Sequence, residues 1–113
     1  MNEIIYNWEF NPLEVVYHEE SLSNVVNVVH WQYTATYASA SIHASDRNIG
    51  TVGLETPPSQ SFISFEDLTK EMVTEWVVAK LGKETVNRMT TQLSASINNQ
   101  LFPIKGTLPA PWM

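Results

Sequence analysis

No cysteine occurs anywhere in the 113 residues. That absence excludes disulfides, thiolate metal sites and a cysteine nucleophile, and it suits a reducing compartment. Glycine is nearly as scarce, with four residues. The chain holds no P-loop, no G-x-G-x-x-G run and no G-x-S-x-G elbow, so a phosphate cradle built from closely spaced backbone N–H groups has no basis. Positive charge is also thin, with six Lys and Arg against twelve Asp and Glu and a net charge of −6. The basic residues Arg47, Lys70, Lys80, Lys83, Arg88 and Lys105 are scattered and form no stripe that would neutralise phosphates. Direct binding of nucleic acid or of an anionic membrane surface is therefore disfavoured. Nowhere do ~18 apolar residues run together, and no basic stretch leads into an apolar one at the start. A soluble protein without a signal peptide or a membrane span is expected.

What is present is apolar and aromatic. Hydrophobic residues make up 43% of the chain, with four Trp, four Tyr and four Phe, which is too much for a disordered acidic tail. The length suits a single domain, 1–113, that buries roughly two-thirds of its unfolded surface.

Period-two patterns dominate the first half. Residues 4–10 read as a strand with Tyr6, Trp8 and Phe10 on one face and Ile5, Asn7 and Glu9 on the other. Asn11-Pro12 reads as the turn that ends it. Residues 13–17 form a second short apolar run, and the polar residues 18–24 read as a loop. Residues 25–35 are the strongest strand, dense in β-branched and aromatic side chains. Val25, Val29, Trp31, Tyr33, Ala35 and Tyr37 share its more apolar parity, which should face the core. Its polar mate, with His30 and Gln32, faces water or a partner. No Asn-Gly or Asp-Gly marks a hairpin between Ala35 and Ser39, so one long bent strand competes with a turn there. Residues 45–48 read as a loop tip and 49–55 as a short strand, in which glycines suggest a bulge or a close backbone approach.

The pattern changes after the linker at 56–63. Residues 69–101 read as a hairpin of two antiparallel helices. Thr69 is the candidate N-cap of the first, with Leu68 and Val73 spaced as a hydrophobic staple and Glu71 at the positive end of the dipole. Met72, Val73, Trp76, Val77 and Leu81 form its apolar stripe, on which Trp76 is expected to be buried. Gly82 supplies a left-handed stop. The second helix, about 84–101, carries Val86, Met89, Leu93, Ile97 and Leu101 on one face. Residues 102–113 cannot be helical, because their prolines favour extended, polyproline-like backbone. Strands followed by helices predict an α+β fold: an N-terminal antiparallel sheet of three to five strands, covered by a C-terminal helical hairpin and trailed by a Pro-rich tail.

Chemistry is hard to find in this chain. His18, His30 and His43 lack the spacing of zinc ligands, although His30 and His43 would approach each other if 25–35 paired with 37–44. Glu66, Asp67, Glu71 and Glu75 gather where a helix begins, as the dipole favours, and carry no calcium-loop pattern. No catalytic residue, metal ligand or cofactor site is predicted. Trp112 stands apart, because it follows Pro109 and Pro111 at the end of the chain. It either folds back over its own domain or anchors the tail in a neighbouring subunit. The partner-binding candidates are thus Trp112, Pro111 and Pro109 in the tail, with His30 and Gln32 on the polar sheet face.

Phe65-Glu66-Asp67-Leu68-Thr69-Lys70-Glu71-Met72-Val73, with Trp76-Val77, Leu81-Gly82, His30-Trp31-Gln32-Tyr33, Gly50-Thr51-Val52-Gly53-Leu54 and the terminal Pro111-Trp112, resembles a small family of tailed-phage proteins best represented in marine cyanophages. The resemblance runs from about residue 25 onward. It departs in two places: no Asp-Gly-like turn follows the Tyr-Thr-Ala-Thr strand at Tyr37, and residues 45–49 resemble an insertion. The resemblance implies a phage setting and no defined activity. It leads to the expectation of a non-enzymatic structural or interaction protein, a small virion component that contacts capsid, neck or tail proteins, with self-association left open. The alternative is an acidic host-takeover factor that binds and inhibits a host protein in the infected cytoplasm.

Overall fold

A long central strand, β2 (Leu22–Ala38), organises the molecule. It pairs antiparallel with β1 (Ile5–Glu19) on one side and β3 (His43–Gly53) on the other, giving a three-stranded meander in the order β1-β2-β3. Two helices follow, α1 (Lys70–Leu81) and α2 (Lys83–Leu101), so the fold is α+β with the sheet first. The computed structural model describes residues 3–39 and 42–112, and only the backbone of Ser59.

The inner face of β2 forms the core. Val29, Trp31, Tyr33 and Ala35 are buried, as their shared parity requires. Tyr6, Trp8 and Phe10 of β1 lie over the same face. Trp8 packs on Tyr33 at 4.3 Å between ring centroids with the rings tilted by 30°, and it meets Trp31 edge-on at 5.7 Å, an arrangement that aromatic quadrupoles favour. Trp31 reaches sideways over its β3 partner Gly50, where a Cβ would stand 2.6 Å from the indole. Gly50 is thus the close approach that glycine in this strand suggested.

The helices cover this face. Val73 and Val77 of α1 and Met89, Leu93 and Ile97 of α2 are buried in one cluster with β2, and Val86 and Leu101 flank it. α2 contacts β2 and β3, while α1 contacts β1, β3 and α2. The Thr69 hydroxyl accepts from the Met72 N–H at 3.2 Å, which caps α1 as its position predicts. Gly82, at φ 91°, separates the two helices. Trp76 is only half-buried; the fully buried positions of α1 are Val73 and Val77.

Four expectations for the sheet are corrected. Asn11-Pro12 does not end a strand, because β1 continues to Glu19. Two residues of β1 there oppose one of β2 between the pairs Phe10–Trp31 and Leu13–Val29. A bulge on an edge strand has room for a proline, which has no N–H to contribute. The segment 18–24 is mostly strand, and only Glu20-Ser21 turns, with Glu20 at φ 55°. β2 runs on to Ala38 and β3 begins at His43, beyond the region where the turn was expected, and the Ser39 N–H donates to the Ile42 carbonyl at 2.8 Å. Residues 45–48, read as a loop tip, lie inside β3. Their polar side chains are held from both sides. Ser96 donates to the Asp46 carboxylate at 2.6 Å and Gln100 to the Ser45 carbonyl at 2.9 Å, while Arg47 reaches Gln32 on the other face.

The molecule is long for its size. Its radius of gyration is 19.6 Å and its extents are 73 × 32 × 26 Å, against roughly 13 Å for a compact domain of this length. β2 alone, at about 3.3 Å per residue, accounts for most of the long axis.

Candidate functional site

Three surfaces compete. The first is the outer face of the sheet, where His30 and Gln32 line a shallow cavity of about 500 Å³ with Glu9, Asn11, Ile49 and Thr51. Alternation along β2 places both residues there, as expected. Their polar groups are engaged with neighbours, however. His30 Nε2 lies 2.5 Å from Glu14 Oε2, an ion pair whenever the imidazole is protonated. Gln32 accepts from Arg47 at 3.1 Å and donates to Thr34 at 3.3 Å. Lys70 reaches from α1 to Asn7 at 3.2 Å and to Glu9 at 3.5 Å. The result is a knit polar surface rather than a set of free functional groups. Ile5 and Ile49 remain exposed beside it.

His30 and His43 do not meet. His30 pairs with Thr51 and His43 with Ala38, eight positions apart and thus about 26 Å along the sheet. Among the described residues no three His, Asp or Glu side chains gather closely enough to hold a metal ion. Likewise, no helix of the described residues is long and apolar enough to cross a membrane. The Asp46 carboxyl sits below the usual range because the Ser96 hydroxyl and then the Arg47 N–H stabilise the charged form. That serves the β3–α2 contact.

The second surface is the tail. After Leu101 the helix stops at Phe102, and Pro103 cannot continue it. Phe102, Ile104, Leu108 and Trp112 are 70, 88, 92 and 85% exposed. Pro109 and Pro111 are exposed as well. Trp112 therefore does not cover its own domain. The tail is a separate element from the His30 face, and the structure does not bring the two sets of candidates together.

The third surface was not anticipated from the sequence. A groove of about 500 Å³ opens between the far end of β2, the 54–63 linker and α1. Val25 and Val26 form its floor, Pro57 and Phe62 one wall, and Trp76 and Ala79 the other. Asn24, Glu55 and Lys80 bring polar groups to its lining. The floor exists because Asn27 is a bulged residue, lying between the pairs Glu14–Val28 and Val15–Val26. The bulge brings Val26 into the buried set beside Val25, against strict alternation. Asn27 also accepts from the Leu54 N–H at 2.8 Å, which ties the start of the linker to β2. The available sequence signals were Pro57-Pro58, Phe62 and Trp76, but nothing local shows that they converge with Val25 and Val26.

No curated protein matches this chain, and no solved structure does. A family model does match, over residues 3–112, nearly the whole length. The chain belongs to the family described as Domain of unknown function (DUF7936).

Proposed function

We propose that this protein is a non-catalytic interaction component of tailed-phage particles, one that contacts capsid, neck or tail proteins. The observation that carries the reading is the tail. Four large apolar side chains in eleven residues stand in solvent, and a Pro-rich segment loses little conformational entropy when it docks. Exposed apolar residues concentrated in one segment mark a binding element far more often than they serve an isolated domain. The likeness of residues 25–113 to cyanophage proteins supports the setting. In this reading the helices act as an antiparallel hairpin that stiffens the sheet, and Pro109, Pro111 and Trp112 form the docking end. His30 and Gln32 lie on a second, polar contact face.

Mass spectrometry of purified particles tests the proposal. The protein is expected in the virion at a fixed ratio to the structural proteins, and Trp112→Ala is expected to reduce its incorporation. Absence from particles, with recovery on a host enzyme from infected cells, would favour the acidic host-takeover factor instead.

A further inference from the structure

The tail and the groove match each other in chemistry and cannot meet within one chain. We propose that the tail of one copy, residues 104–112, docks in the groove of a second copy, joining subunits head to tail. The inference rests on the reading of the tail as a docking segment and names its partner.

Distance excludes the same-chain arrangement. The tail leaves α2 beside Tyr37, since Leu101 and Tyr37 line one cavity and Gln100 bonds the carbonyl of Ser45, which pairs with Thr36. The groove floor, Val25 and Val26, lies twelve residues back along β2, about 40 Å at the strand rise. Fully extended, eleven residues reach at most about 36–40 Å, and the bends at Phe102 and Ile104 and the turn at Pro111-Trp112 shorten that. Seating Pro109 to Trp112 requires still more length, because that segment must lie along the groove rather than only touch its rim. The high exposure of the tail in the single chain agrees with this.

Chemistry selects the second copy. Polyproline-like segments dock in grooves walled by aromatic and proline rings, where they meet a preformed ligand at low entropic cost. Here Trp76, Phe62 and Pro57 are the walls and Val25 and Val26 the floor. All twelve acidic residues precede Phe102, and the only charged side chain from 102 onward is Lys105. The groove lining holds one charge of each sign, Glu55 and Lys80, so Glu55 is an available partner for Lys105. Tail and groove stand at opposite ends of an elongated body, so the contact is heterologous and propagates into a ring or an open row. A segment this small makes a weak individual contact, which an array strengthens through many simultaneous engagements.

Sedimentation equilibrium of the full chain tests this from roughly 10 to 500 µM, where small interfaces associate. The mean mass of the native chain should rise with concentration. Trp112→Ala removes the anchor and Ala79→Arg fills the groove wall. Both positions are exposed, so both variants should fold, and each alone should remain a single chain. An equimolar mixture of the two retains one good tail and one good groove, and it should stop at the heterodimer. A native chain that stays single throughout, a Trp112→Ala chain that associates like the native one, or a mixture that does not pair would each overturn the proposal. A chain single in solution whose tail cross-links to another virion protein refutes self-docking yet leaves the docking-segment reading intact. Absence from particles together with self-association does the reverse.

Discussion

Residues 86–101 and residues 102–112 are consecutive and similarly rich in large apolar side chains, yet they end in opposite environments. In α2, Val86, Met89, Leu93, Ile97 and Leu101 recur every three or four residues, which gathers them into one stripe over β2 and β3. In the tail, Phe102, Ile104, Leu108 and Trp112 are interrupted by Pro103, Pro109 and Pro111, so no regular element collects them onto a face. Composition is therefore a poor guide to burial; periodicity decides it. α2 meets its apolar requirement within the chain, and the tail leaves its own unmet.

If that contrast is right, the largest stability effect belongs to α2. Ile97 is fully buried, and Ile97→Ala should destabilise the protein by about 2–5 kcal/mol, through lost transfer energy and an unfilled cavity. Against the usual 5–15 kcal/mol for a domain, that is a large share. Urea melts read it directly. A shift below ~1 kcal/mol would mean that α2 does not cover the sheet as described.

Trp76 lies between the two regimes. It packs against the core on one side and lines the groove on the other. Trp76→Ala should therefore cost about 1.5–3 kcal/mol, less than a fully buried aromatic, because part of the ring is already wet. A loss above about 4 kcal/mol, that of a fully buried aromatic, would show that the groove is closed in solution, and the tail would then have nowhere to dock. Below it comes Thr69→Ala. The Thr69 hydroxyl satisfies one first-turn N–H of α1, and its removal should cost about 1 kcal/mol. Thr69→Ser should restore most of that, since any hydroxyl at this position can accept the bond.

The same contrast explains what the sequence disclosed. Strong local periodicity was legible: the inner parity of β2, the stripe on α2, the Thr69 cap, the Gly82 stop and the order of strands before helices. What depended on distant partners was not. Residues 45–48 are polar and turn-like, yet pairing to β2 and bonds from Ser96 and Gln100 hold them extended. Asn11-Pro12 carries a true turn signal that a bulge absorbs. Glu20 takes a left-handed conformation that usually announces itself as glycine or asparagine. For the candidate site, the prolines and position set Trp112 apart but left open whether it folds back over its own domain, which its exposure answers, whereas the groove combines four segments separated by up to about fifty residues. No window of sequence contains it.

The smallest effect is the most discriminating. Trp112 is a large aromatic, and a reading from composition would give its removal a cost like that of any buried tryptophan. Its ring makes almost no use of the fold, so Trp112→Ala should shift stability by less than ~0.5 kcal/mol in dilute solution. Concentration matters here, because association that favours the folded state raises the apparent midpoint by mass action. Melts should therefore be run in the low micromolar range and again near the top of the sedimentation range. Native and variant midpoints should coincide at the low concentration and separate at the high one, with the native chain the more stable. Coincidence at both would leave the tail without a role in self-association. Separation already at the low one would mean that Trp112 packs on its own domain, and the distinction between α2 and the tail would collapse.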